Sequence, residues 1–237
     1  MLARLLKVFL LAALALIIGS LRSSIAPSTP ENLEIGEPAP GDDIGRIHAI
    51  EASATGEVWV VGETLSTPTK GLVAQWDGKE WKNKVFLSVA EGDHSLRDIA
   101  ILSPNDMWAV GEYGVDAKPS RTLVAHSDGA EWKVVTGLET SPGSSGLRAI
   151  AAVAPDDIWV GGWSYQEDRS PAAQSLILHW NGETWSNIPI QGGPQYYIDD
   201  MSALSANDVW AVAANAILHW NGKSWSESPR AGDYSKA

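Results

Sequence analysis

His48, Arg97, Arg148 and Asp199 each stand eleven residues before a tryptophan, Trp59, Trp108, Trp159 and Trp210 respectively. Two guanidiniums, an imidazole and a carboxylate gathered at one point can hold an anionic group, with Arg97 and Arg148 as the clamps. The competing reading is a set of surface charges paired with Asp98, Asp200 or each other, an arrangement that is common and weak. A second set is aromatic. Trp163, Tyr165, Tyr196 and Tyr197 fall outside the recurring tryptophan positions. Rings in variable loops suit contact with a sugar or a protein ligand, although stray aromatics also serve ordinary loop packing.

Other chemistry is poorly supplied. His126, His179 and His219 recur at one strand position, with Gln75 in the first unit. Strands lie about 4.8 Å apart, so a third strand sits about 10 Å outside the innermost one. Equivalent imidazoles that far out cannot share one ion at about 2 Å, and structural hydrogen bonding is their expected role. Acidic loops at Asp42–Asp43, Asp93 and Asp199–Asp200 lack the spacing of a calcium loop. No metal site and no cofactor is expected. A serine nucleophile elbow, G-x-S-x-G, is absent, and so is any dinucleotide fingerprint or phosphate-cradling loop. With 29 acidic side chains any carboxylate pair can be nominated for glycoside hydrolysis, so none is. No catalytic residue is assigned.

What positions these residues is a repeat. "SPNDMWAVGE", "APDDIWVGGW" and "SANDVWAVAA" are versions of one phrase, with a looser copy in "ATGEVWVVGE". The phrase tryptophans are spaced by 49, 51 and 51 residues. A second series, Trp81, Trp132, Trp185 and Trp225, follows Asp77-Gly78, Asp128-Gly129, Asn181-Gly182 and Asn221-Gly222. Those pairs predict tight hairpins of two-residue type, with positive φ at both central positions. Each unit therefore reads as four short antiparallel strands, and a unit of 40–50 residues repeated in this way is the mark of a β-propeller blade. Stacked blades cover each other's faces, which gives the repeated tryptophans a packing role. The expected fold is all-β, a propeller of four-stranded blades at about 44–88, 89–137, 138–190 and 191–229. Four recognisable blades leave an incomplete or open ring as an alternative to closure.

Outside the repeat, residues 1–26 carry Arg4 and Lys7, an apolar run over 8–18 and a small-x-small site at Ser24-Ile25-Ala26. That is the layout of a cleaved secretory signal, or of an N-terminal anchor if retained. Residues 27–43 hold four prolines and five acidic side chains and read as a linker, with an edge strand at 33–35 as the alternative. Residues 230–237 read as a tail. The chain has 17 basic and 29 acidic residues, a formal charge of −12, which excludes the basic face that a nucleic-acid partner needs. There is no cysteine, hence no disulfide, thiolate metal site or cysteine nucleophile.

The strings "SPNDMWAVG…HSDGAEW" and "APDDIWVGG…HWNGETW" resemble the repeats of bacterial exported β-propellers, and more loosely those of kelch-type and sialidase-type Asp-box propellers. The resemblance spans most of 44–229. An Asp-box reads S-x-D-x-G-x-T-W, whereas here Asp or Asn abuts Gly, and a kelch-like Gly pair occurs only at Gly161-Gly162. The resemblance is specific for fold; with the leader at 1–26 and no catalytic set among the residues, the expectation is a secreted or membrane-anchored, non-catalytic binding or assembly scaffold. Its variable loops, 63–71, 112–121 and 163–175 with the inter-blade loops, would face a protein or cell-surface glycan, and a homo-oligomer could complete the ring. It also allows a sialidase-like glycan hydrolase, which would gather Arg97, Arg148, a tyrosine and a carboxylate in one pocket. A periplasmic assembly factor like the photosystem-stability propellers is a third expectation, and the acid excess argues against it.

Overall fold

The computed structural model describes residues 34–36, 44–89, 92–114, 119–135, 138, 143–165, 173–191, 197–214 and 216–229. These form four antiparallel sheets. The first comprises β1 (Glu34–Gly36), β2 (Ile44–Ala52), β3 (Val58–Thr64), β4 (Gly71–Trp76) and β5 (Trp81–Ser88), in the order β1-β5-β4-β3-β2. The second is β6 (Asp93–Ser103), β7 (Asp106–Gly114), β8 (Arg121–Ser127) and β9 (Trp132–Val134). The third is β10 (Ser145–Ala154), β11 (Asp157–Ser164), β12 (Gln174–Trp180) and β13 (Trp185–Asn187). The fourth is β14 (Asp200–Ser205), β15 (Asp208–Ala213), β16 (Ala216–Trp220) and β17 (Trp225–Ser228). Their first long strands follow one another in space, β2 against β6, β6 against β10 and β10 against β14. The chain is a β-propeller, with four meandering sheets fanned around those inner strands.

Three apolar clusters fill the gaps between successive sheets. Trp59, Val61 and Val73 of the first sheet meet Leu96, Ile99, Met107, Leu123 and Trp132 of the second. Trp108, Val110 and Val124 meet Leu147, Ile150, Ile158, Val160 and Leu176 of the third. Trp159 and Ile177 meet Ile198, Met201, Val209, Leu218 and Trp225 of the fourth. Each sheet thus has a trailing face, carrying the phrase tryptophan, and a leading face, carrying the hairpin tryptophan. Across the gaps these rings meet edge-on, Trp108 with Trp185 at 6.0 Å and Trp159 with Trp225 at 5.8 Å. Edge-to-face pairs at such separations add to the area that they bury.

One expectation needs correction. The Asx-Gly connections are not two-residue turns. Trp76 pairs with Trp81, Trp180 with Trp185 and Trp220 with Trp225, so four residues lie between the paired ends. Only the glycine takes positive φ, +94° at Gly78, +87° at Gly129, +90° at Gly182 and +88° at Gly222. The Asx side chain closes the loop itself. Asp77 Oδ1 accepts the N–H of Lys79 and Glu80, and Asn181 Oδ1 that of Glu183 and Thr184. Short polar side chains that bond the backbone two residues on build such loops without a second left-handed residue. For the proline-rich segment, the structure shows the alternative reading, an edge strand. Within 27–43, Glu34–Gly36 is a strand, Glu34 pairing with Ser88 on the outer edge of the first sheet. The rest of 27–43, the leader 1–26 and the tail 230–237 lie outside the described residues.

Candidate functional site

The candidate rim begins with an irregularity in the inner strands. β2 shifts register between Ile47 and Ala49, β6 between Leu96 and Asp98, and β10 between Leu147 and Ala149. The residues that the shift leaves unpaired are His48, Arg97 and Arg148. A bulge inserts one residue and re-aims side chains. Here it keeps Leu96 and Ile99 in one interface, and Leu147 and Ile150 in the next, while the residue after each leucine turns to the rim.

The neighbouring strand makes room for the bulge. A Cβ on Gly62, Gly111 or Gly162 would lie 2.0, 1.9 or 2.0 Å from a backbone carbonyl of Arg46, Ser95 or Gly146. Only glycine fits such an approach. The fourth sheet has Ala213 at this place, and its inner strand starts later, at Asp200.

The four predicted residues do not form one open ring. They fall into two contacts. Arg97 Nη1 donates to His48 Nε2 at 3.0 Å, and Arg97 Nη2 donates to Glu112 Oε1 at 2.9 Å. His48 also lies 3.6 Å from Glu63, and Arg46 lies 3.8 Å from the same carboxylate. Burial, with the Arg97 charge beside it, holds the His48 pKa below its ordinary value. The other contact is Arg148 Nη1 donating to Asp199 Oδ1 at 2.8 Å. Asp98 and Asp200 are not the partners. Asp98 accepts the N–H of Ile99 and of Ile150 across the inner strands, and Asp200 accepts that of Met201. With Glu51 they line a separate cavity of about 310 Å³ between the inner strands.

The structure brings three of the four aromatic candidates together. Trp163, Tyr165 and Tyr197 form one cluster, with centroid separations of 5.4 Å (Trp163–Tyr165), 5.8 Å (Trp163–Tyr197) and 6.4 Å (Tyr165–Tyr197). The Tyr165 and Tyr197 hydroxyls are hydrogen-bonded to each other, and this bond is the main cause raising the Tyr197 pKa. The Arg148 guanidinium lies 4.5 Å from the Tyr197 ring centroid, within cation–π range. Tyr196 lies outside the described residues. Glu112 joins the two halves. A Cβ on Gly146 would stand 2.5 Å from Glu112 Oε2 and 3.0 Å from the Trp163 indole, so the carboxylate that holds Arg97 and the edge of the aromatic cluster both border Gly146.

Beside Arg97 opens a cavity of about 410 Å³, lined by Glu63, Asp93, His94, Arg97, Glu112 and Tyr113 among others. His94 is buried and stacked on Tyr113, rings 5.8 Å apart and 9° from parallel. Its Nε2 accepts the Val89 N–H at 3.0 Å, and burial lowers its pKa.

Glu63 and Glu112 were missed as site residues because they open the segments read as loops. Their signal is positional. Glu63, Glu112 and Trp163 each follow a phrase tryptophan by four residues. The bulges also left a trace. Apolar pairs Ile47/Ile50, Leu96/Ile99, Leu147/Ile150 and Ile198/Met201 are three residues apart. A regular strand would send such a pair to opposite faces.

The strand-three histidines have the structural role expected of them. His126, His179 and His219 bond Asp106, Asp157 and Asp208 at 2.9, 2.7 and 2.9 Å. The same carboxylate oxygens accept the indole N–H of Trp108, Trp159 and Trp210. No cluster of metal-ligating side chains occurs among the described residues.

Fold and rim together define a four-sheet β-propeller with a charged and aromatic patch at the inner-strand starts. No family model matches the chain, and no curated protein does. Among solved structures it is similar to YCF48 bound to D1 peptide, at 20% identity and a TM-score of 0.41, over 56% of this chain and 38% of that one. A Penicillium chrysogenum alpha-L-arabinanase complexed with arabinobiose gives 11% and 0.47, over 74% and 60%. A fucose-specific lectin from Aleuria aurantia gives 17% and 0.47, over 74% and 59%. The chain thus spans less than two thirds of each of these proteins.

Proposed function

We propose that this chain is a non-catalytic, extracytoplasmic binding module whose loop-side rim takes a glycan. The observation that carries the reading is the junction at Glu112, where an ion-paired Arg97 and the cluster of Trp163, Tyr165 and Tyr197 share one wall. Half-buried rings offer apolar faces to sugar C–H groups, and fixed donor–acceptor pairs address hydroxyls. Both rim guanidiniums are already matched by carboxylates, Arg97 by Glu112 and Arg148 by Asp199. That neutralisation, in a chain of formal charge −12, favours a neutral ligand over the anionic one that free arginine clamps would take. The division of the two arginines, Arg97 beside a polar cavity and Arg148 with Tyr197 and Asp199, supports a binding site over a sialidase-like hydrolase. The export of the chain is part of this proposal and rests on the layout of 1–26.

The test is a binding screen of the purified domain against neutral oligosaccharides, sialylated oligosaccharides and a random peptide library, run in parallel with Trp163→Ala and Tyr197→Ala. Capture of a neutral oligosaccharide that is recovered uncleaved and is lost in both variants supports the reading. Selective capture of sialylated chains, capture of peptides alone, or cleavage of the bound sugar overturns it.

A further inference from the structure

His48 stands at the rim between a donor and an acceptor. Its Nε2 lies 3.0 Å from Arg97 Nη1 and 3.6 Å from Glu63 Oε2. A guanidinium only donates and keeps its charge, so the ring that meets Arg97 must offer a lone pair and is neutral. Nδ1 is 3.4 Å from the same Nη1, so in either tautomer the one lone pair of the ring faces Arg97. Arg97 is then fixed at two points, Nη1 by His48 and Nη2 by Glu112 at 2.9 Å. Protonation removes the lone pair. The imidazolium has protons to give, its acceptor is Glu63, and it stands as a like charge beside Arg97. The His48 and Glu63 side chains are only 13% and 19% exposed, so solvent screens that change little.

We propose that neutral His48 is the positioning residue for Arg97, so that the polar half of the rim is assembled at neutral pH and released in acid. Its consequence for ligand, weaker binding in acid, rests on the reading of the rim as a glycan site. The charged groups that face the ring come from three strands: Arg97 from β6, Glu63 from β3 and Arg46 from β2, the strand of His48 itself. Glu112 of β7 meets it only through Arg97. Burial, then the Arg97 charge, lowers the His48 pKa, and Glu63 opposes them, which puts the change below pH 6.5. In acid Glu112 alone holds Arg97, at the wall that Gly146 and Trp163 share with it. Arg148, at the same repeat position, is the internal control. Its partner is a carboxylate, Asp199 at 2.8 Å, in place of an imidazole. The acid response is therefore confined to the Arg97 half of the rim.

Nitrogen-15 spectra of the whole chain read the positioning with no ligand present. Long-range proton–nitrogen correlations follow the His48 ring, and the Arg97 Nε–H signal follows the guanidinium, between about pH 7.5 and about pH 5. In the wild type the two are expected to change together, at one midpoint below 6.5, while the Arg148 Nε–H signal stays in place. His48→Gln keeps an acceptor that no proton removes, so its Arg97 signal is expected to hold through acid. His48→Ala has no acceptor and shows the acid position of Arg97 throughout, with thermal unfolding as the folding control. His94 and Asp98, which line the two cavities and also have shifted pKa values, are present in every variant, so the difference from wild type reads His48 alone. Calorimetry with the neutral oligosaccharide that the wild type captures adds the consequence. Wild-type affinity is expected to fall about tenfold in acid, and that pH dependence is lost in His48→Gln. A ring already protonated at about pH 7.5, an Arg97 signal indifferent to the ring's titration, an Arg148 signal that moves in step with it, or one pH profile shared by wild type and His48→Gln overturns the proposal. Capture of no sugar at either pH overturns the glycan reading alone, because the Arg97 spectra need none.

Discussion

Arg97 and Arg148 are one residue of the repeat written twice. Each is the unpaired residue of a β-bulge, eleven residues before its tryptophan, and each donates to a carboxylate, Glu112 at 2.9 Å and Asp199 at 2.8 Å. The difference lies in what surrounds the pair. Arg97 has His48 and a polar cavity at its side. Arg148 has the Tyr197 ring. One scaffold position thus yields a polar half and an aromatic half of the same rim.

Gly146→Ala tests the junction of those halves. Its methyl would enter the space of Glu112 Oε2 and the Trp163 ring. Because these are side-chain ends, they can give way, and the expected stability loss is ~1–3 kcal/mol, the usual range for overpacking. Ligand affinity is expected to fall about tenfold or more while circular dichroism stays native. An unchanged affinity in a folded variant removes Glu112 and Trp163 from the site.

Asp157→Ala tests the repeated Asp–Trp–His unit. The carboxylate accepts from Trp159, which is 1% exposed, and from His179. Its removal orphans a buried indole N–H and a half-buried imidazole, and urea unfolding is expected to show a loss of ~1–3 kcal/mol. Asp208→Ala removes the same bonds on the outermost sheet, where Trp210 is only half-buried. That loss is expected to be about half as large. Equal losses would mean that burial does not set the value of this unit.

Asp98 makes stability depend on pH in a defined direction. Burial, opposed by the Ile150 and Ile99 N–H groups, raises its pKa from 3.8 to about 6. The unfolded chain therefore loses this proton at lower pH than the folded one. The stabilisation is full below about pH 3.8 and is lost as pH rises through about 6. His48 and His94, whose pKa values are lowered, act the opposite way and lose stability as pH falls below 6.5. Comparison with Asp98→Asn cancels them. From pH 7 to 4 the wild type is expected to gain up to ~2 kcal/mol relative to that variant. Parallel stability curves would contradict the assignment.

The sheets were legible because their signals are local and repeated. An indole at a fixed interval and an Asx-Gly pair before its partner need no tertiary information. Turn geometry was less legible, since Asp77 and Asn181 close their loops with side-chain oxygens and propensity alone does not tell a two-residue turn from a four-residue one. The convergence of His48 with Arg97, and of Arg148 with Asp199, followed from counting back from the tryptophans. Their pairing with Glu63 and Glu112 did not, because it depends on how far a bulge rotates a side chain. The apolar spacing of three in Leu96/Ile99 and Leu147/Ile150 carried that information in the sequence.

The proposed site places ligand at the rim and not at the walls between sheets. Its most direct measurement is the set of tryptophan indole N–H signals in a nitrogen-15 correlation spectrum, recorded as the captured oligosaccharide is added. The Trp163 signal is expected to move in a saturable way. Trp108 and Trp159, tied to Asp106 and Asp157 inside the sheet gaps, are predicted to stay in place. Movement of the Trp108 or Trp159 signals with a silent Trp163 would contradict it.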